Sequence, residues 1–221
     1  MIALLFALVT AAPPAANPSP KSDLTPEQRF VAVQKRYDNF SDFSADFKQT
    51  LVRAARPGKG RSETGKVFLK RPGLMRWDYA EPEVKNFVID GERLWEYKPD
   101  ESQVMVFDKF HEAEVSAGLS FLWGKKTVLK EFTAQHYTGN DPLGEPMGAS
   151  AIKLTPIKPD ANVKSLVFAM DNAGFIAKAI VEDNLGNFNM FEFKNIKLDS
   201  GLKRDAFLFV PPEGVKVVHV E

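Results

Sequence analysis

Residues 65–79 read GKVFLKRPGLMRWDY, which is two alternating runs of apolar and polar residues on either side of a Pro-Gly pair. Alternation with a period of two is typical of half-buried β-strands, and Pro-Gly is a strong turn signal. The stretch therefore predicts strands at Lys66–Arg71 and Leu74–Tyr79, joined by a turn at Pro72-Gly73. One side of the second strand carries Met75, Trp77 and Tyr79, and the other carries Arg76 and Asp78.

The same alternation recurs along most of the chain. In Phe43–Leu51, one side carries Phe43, Ala45, Phe47 and Leu51. Short alternating strands joined by tight turns indicate one antiparallel meander, and the absence of a composition shift predicts a single domain over residues 23–221. Further strands are predicted at Glu83–Ile89, Glu92–Tyr97, Gln103–Phe107, Ala151–Thr155, Lys164–Met170, Phe175–Glu182, Phe188–Leu198, Phe207–Val210 and Val215–Val220, while Val128–Tyr137 fits a strand or a helix.

Two segments have a helical rather than a strand-like pattern. Thr25 can cap a helix that begins at Pro26, Gln28 completes a capping box, and apolar residues recur on one side as far as Tyr37. A second short helix is predicted within Phe110–Trp123. Because two short helices cover a wide curled sheet only thinly, we expect an apolar cavity between helices and sheet, although an ordinary packed core has the same composition.

The overall composition excludes several classes of site. The 221 residues carry 29 basic and 29 acidic side chains, for a formal charge of +0, so nothing indicates a nucleic-acid partner. There is no cysteine, which excludes disulfides, thiolate metal sites, cysteine nucleophiles and an N-terminal lipid anchor on cysteine. Aromatic residues make up 11% of the chain, enough for a large apolar interior.

The N-terminus indicates export from the cytoplasm. The chain begins MIALLFALV, followed by the small residues Thr10, Ala11 and Ala12 and then by a proline-rich stretch. The apolar run is too short to span a bilayer, so residues 1–16 are predicted to be a signal peptide and the start of a linker. A signal peptide normally has a positive charge before its apolar run, but no Lys or Arg precedes this one. Either the true start lies upstream or the free N-terminal amine supplies the charge. The alternative to a signal peptide is a buried N-terminal strand or helix.

Motifs of catalysis are missing from the sequence. It contains no G-x-S-x-G elbow, no Walker loop and no H-E-x-x-H helix, and its three histidines, His111, His136 and His219, are far apart. His111 with Glu112 and Glu114 has the residue types of a metal site, but a solvated helix start is favoured. We therefore expect no enzyme activity, no metal and no cofactor.

Four blocks, in this order along the chain, resemble the outer-membrane lipoprotein carrier (LolA) family. They are NFSDFSADFKQ at 39–49, the stretch at 65–79 with Pro82 after it, DGERLWEYKP at 90–99 and FLFVPPEGV at 207–215. The resemblance implies a mainly β fold with short helices: an unclosed antiparallel β-barrel, or half-barrel, with a helical lid. It also implies a monomeric periplasmic carrier that takes triacylated lipoproteins from an inner-membrane lipoprotein-releasing ABC transporter to an outer-membrane acceptor.

The resemblance also suggests site residues. Arg71 matches the family's arginine that hydrogen-bonds the lid helices and holds the empty cavity shut, as five donors on one guanidinium allow. Met75 and Trp77 match cavity-lining positions, and Phe121 belongs to the lid segment. Strand parity and weaker similarity add Phe43, Phe47, Leu51, Val67, Leu69, Tyr79, Trp95 and Tyr97 to the acyl-cavity lining.

Other functions on this sequence stay open. The same fold is compatible with a periplasmic sensor of lipoproteins or a binder of another lipid, and a lipid pocket is compatible with a secreted hydrolase. The Arg56–Thr64 loop and the Gly139–Gly148 loop, which looks like an insertion, depart from the family pattern. The surfaces that contact partners are therefore not predicted.

Overall fold

The computed structural model describes residues 24–108 and 131–220. These residues form one α-helix, two short 3-10 helices and twelve strands, and the strands make a single sheet. The α-helix is α1 (Pro26–Asp38), and the 3-10 helices are Pro99–Glu101 and Arg204–Phe207. The strands are β1 (Asp42–Val52), β2 (Gly60–Lys70), β3 (Leu74–Glu81), β4 (Lys85–Ile89), β5 (Leu94–Lys98), β6 (Gln103–Phe107), β7 (Phe132–His136), β8 (Ile152–Pro156), β9 (Ser165–Met170), β10 (Ile176–Glu182), β11 (Phe188–Leu198) and β12 (Lys216–Val220).

The sheet has the order β12-β6-β5-β4-β3-β2-β1-β11-β10-β9-β8-β7. Strands β12 and β7 lie at opposite edges, so the sheet is not closed, and the predicted class of a mainly β, unclosed half-barrel is confirmed. Two pairings differ from the expected antiparallel meander: β1 pairs with β11, which is far away in sequence, and β12 runs parallel to β6. The chain reaches β12 at the sheet edge from β11, seven positions away beside β1, through residues 199–215, and this long crossover allows the parallel arrangement.

The centre of the sheet is made of long strands. Strand β1 pairs with β2 from Asp42↔Lys70 to Val52↔Gly60, and with β11 on its other side. The predicted loop Arg56–Thr64 is therefore shorter than expected. Residues 60–64 contain no apolar side chain, so the sequence shows no strand pattern there. Their backbone nevertheless continues the ladder with β1 as far as Gly60.

One glycine allows a close approach between strands. A Cβ built on Gly65 in β2 would lie 2.1 Å from the carbonyl oxygen of Asp78 and 2.9 Å from the ring of Phe47. The ladder between β2 and β3 has an irregularity between Thr64 and Gly65. Any side chain at this position would displace backbone, so the close approach of β2 and β3 depends on glycine.

Helix α1 begins as predicted. The Gln28 amide N–H donates to Thr25 Oγ1 over 3.2 Å, and the Thr25 N–H donates to Gln28 Oε1 over 3.0 Å, which is a capping box. The buried side of the helix packs on the sheet, with the Phe30 ring 6.5 Å from that of Phe168 and Tyr37 6.3 Å from Phe43. We call the sheet face that carries α1 the inner face, and the opposite face the outer face.

The outer face is covered by two connections. The segment 199–215 crosses β5, where Phe209 packs 5.7 Å from Trp95 and 5.7 Å from Tyr97. The strand predicted at Phe207–Val210 is wrong: a 3-10 helix ends at Phe207, and the following prolines lack the N–H that a ladder requires. The second connection is the segment 137–151 between β7 and β8. Its Met147 and Ala151 pack against Val167, Ile180 and Met190 on the other half of the sheet.

None of the helices in the described part of the chain is long and apolar enough to cross a membrane. The signal peptide predicted at 1–16 and the second helix predicted within Phe110–Trp123 lie outside the described residues.

Candidate functional site

Arg71 joins the sheet to the C-terminal end of α1. Its Nη1 donates to the carbonyl oxygen of Asp38 over 2.9 Å, and its Nη2 donates to that of Tyr37 over 2.5 Å. The last carbonyl groups of a helix have no partner within the helix and carry a partial negative charge, so a cation suits this position. Burial lowers the pKa of the guanidinium, and the Asp38 carboxylate acts in the opposite direction.

Two neighbours orient the Arg71 side chain. Its guanidinium carbon lies 4.5 Å from the centre of the Phe40 ring, and its backbone N–H donates to the carbonyl oxygen of Ser41 over 2.9 Å. The residues just after α1 are thus bound through both the backbone and the side chain of Arg71. This geometry accords with the predicted contact to a lid helix, but whether it acts as a latch remains a prediction.

The inner face next to α1 is a cluster of aromatic rings. Phe47 makes edge contacts with Trp77 at 4.7 Å and with Tyr79 at 4.9 Å between ring centres, and Trp77 lies 5.5 Å from Phe191. Strands β3 and β11 are three positions apart, which is about 14 Å in a flat sheet. The rings of Trp77 and Phe191 are much closer than this strand separation, which indicates that the sheet curls towards the inner face.

Most of the residues predicted to line the cavity lie together on this face. They belong to one buried cluster that also contains Phe30, Val33 and Tyr37 of α1, and they are Phe43, Phe47, Val67, Leu69, Met75, Trp77 and Tyr79. Strand alternation places Leu51 on the same face, but it lies near the end of β1 and is 45% exposed. Phe121 lies outside the described residues.

The assignment of Trp95 and Tyr97 to the cavity is corrected by the strand register. Trp95 pairs with Val88, which pairs with Arg76, so Trp95 lies on the outer face with Arg76 and not with Trp77. Tyr97 follows the same alternation, and both rings contact Phe209 on the outer face. The physical reason is the length of the connection between β4 and β5. Ile89 pairs with Leu94, so four residues separate the two partners, and the inner face carries odd-numbered residues of β4 but even-numbered residues of β5.

Sequence reasoning missed several inner-face residues. Phe87 pairs with Trp77, and its ring lies 5.7 Å from that of Tyr79. Phe191 and Phe193 of β11 stack at 6.2 Å. The alternation within β4 was a signal for Phe87, whereas β11 pairs with β1 across more than 130 residues of chain, for which the sequence contains no local signal.

A polar network borders the aromatic cluster. The Tyr79 hydroxyl donates to Gln49 Oε1 over 2.7 Å, and Gln49 Nε2 donates to Asn189 Oδ1 over 3.0 Å. Lys85 Nζ lies 2.7 Å from Glu63 Oε2 and 4.4 Å from the centre of the Tyr79 ring. Burial, and to a lesser extent the Glu63 carboxylate, raise the pKa of Tyr79, so this hydroxyl stays protonated and remains a donor.

The arrangement is chemically suited to binding apolar groups. In residues 24–108 and 131–220, no three His, Asp or Glu side chains gather as a possible metal site. The inner face instead carries aromatic rings that pack on one another, and its buried cluster also includes Phe30, Val33 and Tyr37 of α1.

Comparison with known proteins identifies the family. The family model described as "Outer membrane lipoprotein carrier protein LolA" matches residues 38–210. An outer-membrane lipoprotein carrier protein of Nitrosomonas europaea is 29% identical over 180 residues, which is 80% of this chain and 82% of that protein. The protein of the same name from Methylococcus capsulatus is 29% identical over 198 residues, covering 89% of each chain.

Among solved structures, an uncharacterized conserved protein from Thermus thermophilus matches with a TM-score of 0.52. It is 13% identical, and the match covers 87% of this chain and 98% of that one, so the likeness is one of fold alone. The family match, by contrast, covers most of the chain and contains the hairpin, the aromatic cluster and Arg71. The chain therefore belongs to the outer membrane lipoprotein carrier protein LolA family.

Proposed function

We propose that this protein is a periplasmic carrier of lipoproteins, and that it holds their acyl chains against the aromatic inner face of the sheet. The observation that carries the proposal is a buried, aromatic-rich cluster on the inner face that includes Phe30, Val33 and Tyr37 of α1, a helix whose end is hydrogen-bonded by Arg71. The names of the relatives supply the cargo class, since both are called lipoprotein carriers.

The energetics of acyl chains explain why such a site is covered when empty. Removing one CH₂ group from water stabilises a complex by about 0.8 kcal/mol, so several acyl chains in a complementary pocket would bind too tightly to be released. Contacts between α1 and the inner face compete with the cargo, because they must be broken before it binds. A covered apolar face therefore lowers the net affinity to a range that permits both loading and delivery.

The carrier role requires partners at both membranes. We propose an ABC transporter of the inner membrane as the source of triacylated lipoproteins and an acceptor at the outer membrane as their destination. Cleavage within residues 1–16 would release the chain into the periplasm. We further propose that residues 23–221 act as one domain and as a monomer, which fits the single sheet that contains all twelve strands.

The function is tested by release of a lipoprotein from membranes. Spheroplasts that synthesise an outer-membrane lipoprotein are incubated with the purified protein, and the supernatant is analysed for a complex of the two. We expect a complex with the triacylated lipoprotein and none with a form that lacks its acylated cysteine. Free lipid without lipoprotein in the bound fraction would instead support a general lipid binder, and turnover of lipid esters would contradict a carrier.

A further inference from the structure

A cavity whose lining does not include Phe47, Trp77 or Tyr79 lies beside α1. It has a volume of about 520 Å³ and lies between α1 and the end of the sheet where β9 turns into β10. The helix contributes Arg29, Ala32, Val33 and Arg36 to its wall. The opposite wall includes His136, Met170, Asp171 and Asn172.

Two arginines face this cavity from the same side of α1. Arg29 and Arg36 are seven residues apart, which is about two helical turns and about 10 Å along the axis. Ala32 and Val33 lie between them on the same stripe and give the cavity an apolar floor. The cavity therefore has a cationic group towards each end and a short apolar stretch in the middle.

These guanidinium groups lack anionic partners. Within residues 24–108 and 131–220, neither Arg29 nor Arg36 forms an ion pair with a carboxylate, and Arg29 Nε is buried without a hydrogen-bond acceptor. Arg36 contacts the Phe175 ring, with its guanidinium carbon 4.2 Å from the ring centre. A buried N–H without an acceptor is costly, so an acceptor brought by a ligand would stabilise this site.

The nearby carboxylate of Asp171 offsets at most one of the two positive charges. Asp171 Oδ1 accepts hydrogen bonds from the backbone N–H groups of Ala173 and Phe175, at 2.9 and 2.8 Å, which commits it to the β9–β10 turn. The remaining titratable side chain of the lining is His136. Two guanidinium groups thus face one carboxylate, that of Asp171, which already accepts two backbone hydrogen bonds. Because positive charge is in excess, the cavity is suited to an anion.

We propose that this cavity binds a phosphate group through Arg29 and Arg36, either as inorganic phosphate or as part of a lipid headgroup. A guanidinium presents parallel N–H donors that match phosphate oxygens in pairs, and the several oxygens of one phosphate can accept from both arginines. The volume exceeds that of a phosphate ion, which leaves room for an ester substituent over Ala32 and Val33. This site goes beyond acyl-chain binding, and it shares Val33 with the buried cluster of the inner face but none of the rings of Phe47, Trp77 and Tyr79.

The test uses the protein from residue 23 onward and two probes, inorganic phosphate and vesicles of phosphatidylglycerol or phosphatidylcholine. The variants are Arg29→Gln, Arg36→Gln and the double variant. Lys35→Gln is the matched control, because Lys35 is exposed on the same helix, outside the cavity lining, and the substitution removes the same charge. Arg29→Lys keeps the charge but removes the paired donors.

We expect the double variant to bind its probe about tenfold more weakly or worse, and Lys35→Gln to bind within about twofold of the wild type. Arginine-dependent binding to phosphatidylglycerol vesicles identifies a lipid headgroup, and arginine-dependent binding of inorganic phosphate alone identifies a small anion. Equal binding by the wild type and the double variant overturns the proposal, as does an equal loss with Lys35→Gln. Circular dichroism of the variants should be unchanged, which excludes a failure to fold. Their binding of a fluorescent fatty acid should also be unchanged, which separates this result from a failure of the proposed carrier function.

Discussion

Arg71 Nη1 donates a hydrogen bond over 2.9 Å to the backbone carbonyl oxygen of Asp38, the last residue of α1. Residues separated by more than thirty positions are thereby joined at the point where the helix meets the hairpin that defines the fold. This bond and its companion to Tyr37 attach the end of α1 to the turn that follows β2, so movement of α1 away from the sheet would break both.

Replacing Arg71 with Leu should release the C-terminal half of α1. The substitution removes two charge-assisted hydrogen bonds, each of which contributes about 1.5–3 kcal/mol, and water replaces them only in part. We expect hydrogen exchange of the amides in 26–38 to become at least about fivefold faster, with the strand amides of β1 unchanged. Arg93→Leu, at an exposed arginine that pairs with Asp108 at 3.0 Å, is the control and should leave α1 unaffected. Unchanged exchange in the Arg71 variant would show that other contacts hold the helix.

Trp77→Leu and Trp95→Leu form a matched pair on opposite faces of the sheet. If acyl chains bind the inner face, Trp77→Leu should weaken the binding of a fluorescent fatty acid by about tenfold, and Trp95→Leu should leave it within about twofold. Fluorescence titration of both purified variants measures this. A larger loss with Trp95→Leu would place the apolar guest on the outer face and contradict the proposed site.

Gly65→Ala tests the close approach at the centre of the sheet. Since a Cβ at this position would lie 2.1 Å from the Asp78 carbonyl oxygen, we expect the free energy of unfolding to fall by about 3 kcal/mol or more. Gly58→Ala is the control: Gly58 has φ +73 but no atom within 4 Å of a built Cβ, so its cost is about 1–2 kcal/mol of backbone strain. Urea denaturation distinguishes the two, and equal losses would contradict the expected extra cost of displacing the Asp78 carbonyl group.

The buried pair Asp141–Lys178 should make stability depend on pH. Burial raises the pKa of Asp141, but the hydrogen bond from Lys178 Nζ at 2.5 Å and those from the backbone N–H groups of Glu145 and Leu143 outweigh burial and bring it below its usual value. A carboxyl whose pKa is lowered by folding stabilises the protein above the unfolded pKa of about 3.9, and that contribution is lost as the pH falls through the folded pKa.

Asp141→Asn should therefore be less stable than the wild type at pH 7, by about 1–3 kcal/mol, because Lys178 loses the carboxylate at 2.5 Å and keeps Glu192 at 4.0 Å. The difference should shrink as the pH falls below about 3.9 and then through the lowered pKa of the folded wild-type carboxyl. Urea unfolding of both proteins between pH 2.5 and pH 7 measures this, and a difference that stays constant with pH would contradict the predicted role of the carboxylate.

Local features of the chain were determined by the sequence alone. The capping box of Thr25 and Gln28 and the Pro-Gly turn after Arg71 depend on residues within four positions of each other, and both form where the sequence predicts them. Alternation within β3 likewise determined that Met75, Trp77 and Tyr79 share one face, because the strand repeat is a property of a single segment.

Only the tertiary structure decided which faces coincide. The side of β5 that meets Trp77 depends on the number of residues in the connection before it, and this placed Trp95 outside the inner face. Strand β1 pairs with β11, and this pairing brings Trp77 into contact with Phe191. No short stretch of sequence predicts the pairing, because the two strands are far apart along the chain. The parallel position of β12 beside β6 arises in the same way. Strand pairing is selected by the burial of the whole sheet, a sum over distant residues that no single stretch of sequence contains.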